Sequence, residues 1–351
     1  MHLLLICPSW GRRCGIASYT RNLRGGFSTL GVTSDVATHP KTIGTYLAER
    51  AYDGILLQHE YSLYYFNLVQ VLRLLEPVAS PLIITMHNTD QSGWMGAQHL
   101  FLFRTRARFV VHSEVARRNL LSGAVRPARS SLAVIPMGCP DYRAQFGDRS
   151  QTRAELGLPD GRFVVGFFGF AARHKNIPNI VEAVRKVPDA LGYISATPHP
   201  VNPRAVDHIY VACGLSRGDP MRNAVDNVIL VHEPVPDEDL GRYQHAVDLI
   251  VLPYSEHGTS VSTSMMAHEA IAARQAVVTT RAVYFADLSD EVLKIPDPRP
   301  DTIAAAIRLL RNNSGEREAL VERAARYVEE NAWDRTAERY LNLLMKPNWE
   351  G

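Results

Sequence analysis

Residues 253–280 read PYSEHGTSVSTSMMAHEAIAARQAVVTT. An apolar run, Leu249–Leu252, leads into this stretch, and a second, Ala276–Thr280, closes it. Between them lie a loop of small hydroxyl residues and a segment of Met, Ala and Ile around a single acid, Glu269. The order reads as strand, turn, helix and strand. Turn amides and a helix N-terminus favour an anion such as phosphate. A helix that is apolar on all sides is buried, and an acid inside it is costly unless it is paired or accepts hydrogen bonds. An arginine such as Arg274 or Arg281 is one partner for Glu269, and a ribose diol is the other. The stretch therefore predicts an α/β sheet carrying a nucleotide-sugar site.

The same alternation runs through the whole chain. Strand-like apolar runs fall at Leu3–Cys7, Val32–Ala37, Gly54–Gln58, Leu82–Met86, Phe109–Val111 and Leu132–Ile135. Segments of helical character separate them, at Ile16–Leu30, Leu63–Glu76, Met95–Arg106 and Ser113–Leu121. Strands that are apolar throughout are buried on both faces, as in parallel sheets. The pattern lapses after Pro136 and resumes with strands at Phe163–Phe168, Leu191–Ser195, Val228–Val231, Leu249–Leu252 and Ala276–Thr279. The expected architecture is α/β, with two facing Rossmann-like doubly wound parallel-sheet domains. The expected boundaries are 1–145 for an N-terminal domain, 146–160 for a linker containing a short helix, 161–331 for a second domain, and 332–351 for a C-terminal helix.

Composition narrows the function classes. The 351 residues are 46% hydrophobic and 21% charged, with a formal net charge of +2. That balance gives no general electrostatic case for a nucleic-acid or membrane partner. Cys7, Cys14, Cys139 and Cys213 form no CxxC pair, and the histidines show no HxxxH or HExxH spacing. No metal ligation is expected, and a reduced, cytoplasmic chain fits this usage. The N-terminal HLLLIC is too short for a membrane span and reads as the first buried strand.

In open α/β sheets ligands bind at the carboxyl ends of the strands, so the residues there are the site candidates. Gly15 follows the first strand in a glycine turn that opens a helix, where backbone can approach a phosphate closely. His59 and Glu60 follow the third and, with Trp94, are candidates for binding acceptor or sugar; His59 leans to facing the ligand, and Glu60 to bracing the loop as a hydrogen-bonded elbow. His87 follows the fourth and can hydrogen-bond a sugar hydroxyl. Arg173 and Lys175 stand between a glycine-bearing strand and a helix start, a pair suited to a diphosphate. Trp94, with Tyr61, Tyr64 and Tyr65, offers rings for a sugar or aromatic acceptor.

Taken in order, these motifs resemble the retaining glycosyltransferases of family 4, which have the GT-B fold. The resemblance is carried by CGIASYT, ILLQHEY, IITMHNTD, VVHSEVARRNL, AVIPMGCPD, GFAARHKNIPNIVEAV, DLIVLPY, HEAIAARQAVVTT and the closing NAWDRTAERYLNLL. It implies a metal-independent hexosyltransferase that takes a sugar from a nucleotide-diphosphate donor, with retention, and passes it to a glycan, lipid-linked or small-molecule acceptor. It also implies that 1–145 is the acceptor domain, 161–331 the nucleotide-sugar donor domain, and 332–351 a helix packing back on the first domain. By that resemblance Lys175 contacts the diphosphate, Glu269 the ribose and His87 the transferred sugar, while Gly15 approaches the phosphate. The chain departs from the family pattern at three points. Val261 stands where the family has an acid eight positions before the ribose-binding Glu. Ser262, Thr263 and Ser264 replace a Gly-aromatic-Gly turn, leaving their hydroxyls and amides to cradle the diphosphate. Phe170 stands where an arginine usually precedes the Lys, which makes Arg173 the candidate for that role. The alternatives are a degenerate enzyme that only binds nucleotide sugar, a sugar-nucleotide epimerase, and a transferase acting on modified nucleic acid.

Overall fold

The computed structural model describes residues 1–199, 202–216, 222–256 and 258–346. Its contacts divide the chain into two compact units. The first comprises Met1–Gly138, Gly258–Met265 and the segment from Asn331 onward; the second comprises Cys139–His257 and Met266–Glu330.

The first unit alternates β1 (His2–Ile6), α1 (Gly15–Thr29), β2 (Thr33–Ala37), α2 (Pro40–Glu49), β3 (Gly54–His59), α3 (Leu68–Leu75), β4 (Leu82–Met86), α4 (Gly93–Leu102), β5 (Arg108–Val111), α5 (Glu114–Ser122) and β6 (Leu132–Val134). The strands form one sheet in the order β2-β1-β3-β4-β5-β6, and every pairing is parallel. Leu4, Ile55, Leu56, Ile83 and Ile84 have almost no exposure, which is why these strands read as continuous apolar runs. Helix α2 was not anticipated. Only Pro40 and Ile43 of its ten residues are buried, so it carries little apolar stripe to find.

The second unit contains α6 (Arg149–Glu155), β7 (Phe163–Phe170), α7 (Ile177–Arg185), β8 (Ala190–Thr197), α8 (Asp207–Cys213), β9 (Arg222–Val225), β10 (Val228–Val231), α9 (Asp237–Ala246), β11 (Leu249–Leu252), α10 (Met265–Ala272), β12 (Ala276–Thr280), β13 (Leu293–Ile295), α11 (Pro300–Asn312) and α12 (Ser314–Glu330). Its seven-stranded sheet has the order β13-β12-β11-β7-β8-β10-β9. The sheet is parallel as expected except at its edge, where β9 runs antiparallel to β10. Strands β9 and β13 are short and were not expected. The sheet's core includes Phe167, Ile194 and Leu249.

The stretch expected to be a linker is not one. Arg149 and Arg153 of α6 hold the two oxygens of Asp248 at 2.6 and 2.7 Å. The backbone N–H of Val164 also donates to Asp248, at 2.7 Å. These bonds secure α6 to the second sheet, and Cys139–His257 belong to that unit.

Helix α13 (Trp333–Met345) returns to the first unit and packs against α1. The last five positions of the expected 332–351 segment lie outside the described residues. The Tyr340 hydroxyl sits 2.9 Å from both Tyr19 Oη and Thr85 Oγ1, which gives three buried hydroxyls mutual partners. Gly26 lies directly under the Trp333 carbonyl, where an added Cβ would collide with backbone. Neighbouring Gly25 is exposed and has open space around it.

The two glycines should therefore respond oppositely to the same change. Gly25→Ala is expected to stabilise the first unit by about 0.5–1 kcal/mol through helix propensity. Gly26→Ala is expected to destabilise it by ~3 kcal/mol through overpacking against α13. Urea unfolding of both variants measures the pair, and equal shifts would show that α13 does not seat on α1 in this way.

Candidate functional site

The order of the second sheet reverses between β11 and β7, which places a topological switch point there. The residues following these two strands are joined by hydrogen bonds. Asn176 occupies the left-handed region, with φ 51°, and its side-chain amide donates to the Pro253 carbonyl at 2.9 Å. The Ser255 N–H donates to the His174 carbonyl at 2.8 Å. The one-turn helix Arg173–Lys175 is thereby held against the Pro253–Ser255 turn.

Lys175 points back across the end of β7. Its ammonium lies 5.4 Å from the centroid of the Tyr254 ring, a cation–π distance. Gly169, with φ +129°, leaves the space: a Cβ there would sit 3.3 Å from Lys175 Nζ and 3.7 Å from Met266. Both the backbone angle and the space favour glycine at this position. Sequence reading passed over Gly169, and the GFFGF strand end was the signal for it.

Glu269 lies on α10, the helix that begins with Met265 and Met266. It is part-buried and coupled electrostatically to Lys175. Burial lowers the Lys175 ammonium to about 8, with Glu269 opposing the shift. Burial, reinforced by Asp237, raises the Glu269 carboxyl to about 8, with His268 and Lys175 opposing. Neither Arg274 nor Arg281 takes the Glu269 carboxyl: no ion pair or hydrogen bond reaches it among the described residues. The adjacent His268 anchors α10 instead, with Nε2 3.0 Å from a buried Asp287 oxygen. Arg173 is exposed beside Lys175 and makes no ion pair among the described residues.

The other candidates fall in the first unit. Gly15 opens α1, is exposed, and has nothing within 4 Å of an added Cβ, which leaves that helix N-terminus open. His87 is part-buried, and its Nε2 lies 2.9 Å from Gln58 Oε1. Burial, with His112 and His59 adding to it, pushes the His87 imidazolium well below the usual histidine range. A neutral ring whose Nε2–H donates to Gln58 keeps Nδ1 as an acceptor. The expectation for His59 is corrected. It is fully buried, bonds Gln98 Oε1 at 3.0 Å, and stacks on Tyr64 at 5.5 Å. Burial lowers its imidazolium to about 4, and the ring is packed among protein groups. Glu60 caps the turn at Tyr61–Tyr64, accepting the Ser62 N–H at 2.9 Å. Trp94 is half-exposed at the start of α4.

The hydroxyl loop Ser262–Ser264 also belongs to the first unit. Thr259 Oγ1 donates to Asp90 Oδ1 at 2.9 Å, and Ser260 Oγ to Asn88 Oδ1 at 2.9 Å. The Thr89 N–H donates to the carbonyl of Val261 at 3.0 Å, and Asn88 pairs with Ser262 as an antiparallel bridge. Val261 is buried. The structure thus gathers Arg173, Lys175 and Glu269 in the second unit, and gathers Gly15, His87, Trp94 and Ser262–Ser264 in the first. Among the described residues no group of three or more His, Cys, Asp or Glu stands close enough to hold a metal ion, and no helix is long and apolar enough to cross a membrane.

A family model described as "Glycosyl transferases group 1" matches residues 148–327. The D-inositol 3-phosphate glycosyltransferases of Mycobacterium marinum and Mycobacterium ulcerans are each 28% identical over 243 residues, covering 67% of this chain. The match spans about half, 49%, of each relative's length. Among solved structures, a sucrose-phosphate synthase from Thermosynechococcus elongatus superposes with TM-score 0.77 at 17% identity over 98% of both chains. The Anabaena HepE protein in complex with UDP and glucose superposes with TM-score 0.75 at 14% identity, over 98% of this chain and 99% of that one. These likenesses show the fold, GT-B.

The His87 geometry has a direct spectroscopic consequence. Its imidazole should remain the neutral Nε2–H tautomer well below the ordinary histidine midpoint of about 6.5. Nitrogen chemical shifts of the labelled ring read this out. A titration centred near neutrality would contradict the burial and the Gln58 bond together.

Proposed function

The chain belongs to the glycosyl transferases group 1 family, and we propose on that footing that it moves a hexosyl group from a nucleotide-diphosphate sugar to an acceptor hydroxyl, in the manner of the retaining family 4 enzymes and without a metal. One observation carries the reading. Lys175 and Glu269, far apart in sequence, are part-buried and electrostatically coupled to each other at the second sheet, and neither makes a close ion pair or a hydrogen bond among the described residues.

The chemistry follows from what each group offers. Lys175, with Arg173 beside it, neutralises the diphosphate as the bond to the anomeric carbon breaks and charge builds on the leaving oxygen. Glu269 accepts hydrogen bonds from the ribose diol. The proton of the acceptor hydroxyl passes to an oxygen of the departing diphosphate as the new glycosidic bond forms. His87 offers its Nδ1 lone pair to a sugar hydroxyl. The relatives support a UDP-linked donor: the Anabaena structure holds UDP and glucose, and an Escherichia coli structure holds UDP-2-fluoro glucose. The buried Val261, which stands where the family pattern has an acid, favours a second reading in which nucleotide is bound without turnover.

Lys175→Ala separates the readings. Turnover of a UDP-sugar should fall roughly a hundredfold or more, as for loss of a charge-stabilising donor, while the melting temperature holds. Unchanged turnover would remove Lys175 from the mechanism, and nucleotide binding with no turnover in the native chain would favour the binding-only reading.

The pH dependence carries a sign. The free-site lysine loses its proton through about 8, and a bound diphosphate favours the charged form. UDP affinity in a Glu269→Gln variant, which removes the carboxyl titrating over the same range, should therefore weaken as pH rises through the lysine's titration, which loss of the Glu269 charge moves below about 8, with proton uptake on binding in that range. Calorimetry in buffers of different ionisation enthalpy measures the uptake. Affinity that rises over this range would contradict the assignment.

A further inference from the structure

Three aromatic rings stand in solvent at the carboxyl end of the first sheet. Phe66 is 95% exposed, Tyr65 56% and Trp94 44%. They form one cluster. Tyr65 meets Phe66 at 4.6 Å and Trp94 at 4.9 Å, both edge to face. Trp94 in turn meets the buried Tyr61 at 6.3 Å.

The base of the cluster is rigid. The Tyr61 hydroxyl donates to the Asp90 carbonyl at 2.9 Å and lies 2.7 Å from His99 Nε2. Asp90 also fixes the start of α4 through Ser92 N–H at 2.8 Å. Three large rings are thus held in place yet denied burial, and such a patch marks a binding surface more often than chance exposure does. No hydrogen bond occupies the Trp94 indole N–H or the Tyr65 hydroxyl among the described residues.

The cluster follows β3 and β4, the strands that end at His59 and just before His87. Ligands of open α/β sheets bind at this edge. The charge around it selects the ligand class. Between Arg50 and Arg104 the only basic residue besides histidine is Arg73, whereas Glu60 and Asp90 flank the rings. Both carboxylates act electrostatically on Tyr61 at the cluster's base. An anionic lipid surface needs the opposite sign. The apolar C–H face of a pyranose suits an aromatic ring, whose face carries partial negative charge, and its hydroxyls suit the free ring donors.

We propose that Tyr65, Phe66 and Trp94 are an acceptor subsite that stacks on the sugar rings of a neutral glycoside or oligosaccharide. The proposal rests on the transferase reading and deepens it: the acceptor is a neutral carbohydrate with at least one ring beyond the one that receives the sugar.

An array of neutral oligosaccharides and glycosides, probed with the labelled full chain, tests it. The native protein should be retained by one or more of them. Phe66→Ser alone, at a side chain with almost nothing to lose in folding, should weaken capture, and Phe66→Ser combined with Trp94→Ser should reduce it roughly tenfold or more. Melting curves confirm that both variants fold. Absence of capture by any neutral glycan, equal capture by the native chain and the variants, or binding instead to phosphatidylglycerol vesicles that is lost in the variants would overturn the proposal. UDP binding is measured on the same preparations. UDP binding without glycan capture removes the subsite and leaves the transferase reading intact; ring-dependent glycan capture without UDP binding does the reverse.

Discussion

An ammonium and a carboxyl sharing a water-poor place, coupled to each other but without a hydrogen-bond partner among the described residues, is the constraint from which the second unit is best understood. Burying either group alone costs free energy, and the costs appear as opposite displacements of their protonation toward neutrality. The fold sustains this arrangement by rigid means. Gly169 clears the space for Nζ, the Asn176 amide locks the Lys175 turn to the end of β11, and the His268–Asp287 pair fixes α10 on its buried side. A structure that buries an ionisable pair with no hydrogen-bond partner at a sheet switch point is suited to a ligand carrying complementary groups.

Much of this was legible in the sequence for a simple reason. A strand buried on both faces must be apolar along its length, so the sheets announced themselves as runs such as LIVL and AVVTT. Glu269 was legible on the same logic, as a charge amid Met and Ala. Elements with little to bury were not. Helix α2 sets only two residues inward, and β9 and β13 are too short for a pattern. His59 shows a different limit. Its position at a strand end was correct, but position says nothing of direction, and the ring turns inward onto Tyr64 and Gln98.

The hydroxyl loop before α10 shows the deepest limit. Chain continuity ties it to Glu269, yet its hydrogen bonds run to Asn88, Thr89 and Asp90, residues about 170 positions away. Local pattern cannot reveal such pairing. The complementarity of Thr259 and Ser260 with Asp90 and Asn88 is visible only once the fold brings them together. Val261 then finds a role that its family position would not suggest, as a buried side chain whose carbonyl seats the β4–α4 loop.

The central claim is that Lys175 and Glu269 grip two parts of one nucleotide. A crystal structure of the chain with UDP bound tests this most directly. The account predicts a β-phosphate oxygen within hydrogen-bond distance of Lys175 Nζ and both ribose hydroxyls on the Glu269 carboxylate. UDP seated elsewhere, or seated at this switch point with Lys175 and Glu269 both turned away from it, would contradict the account.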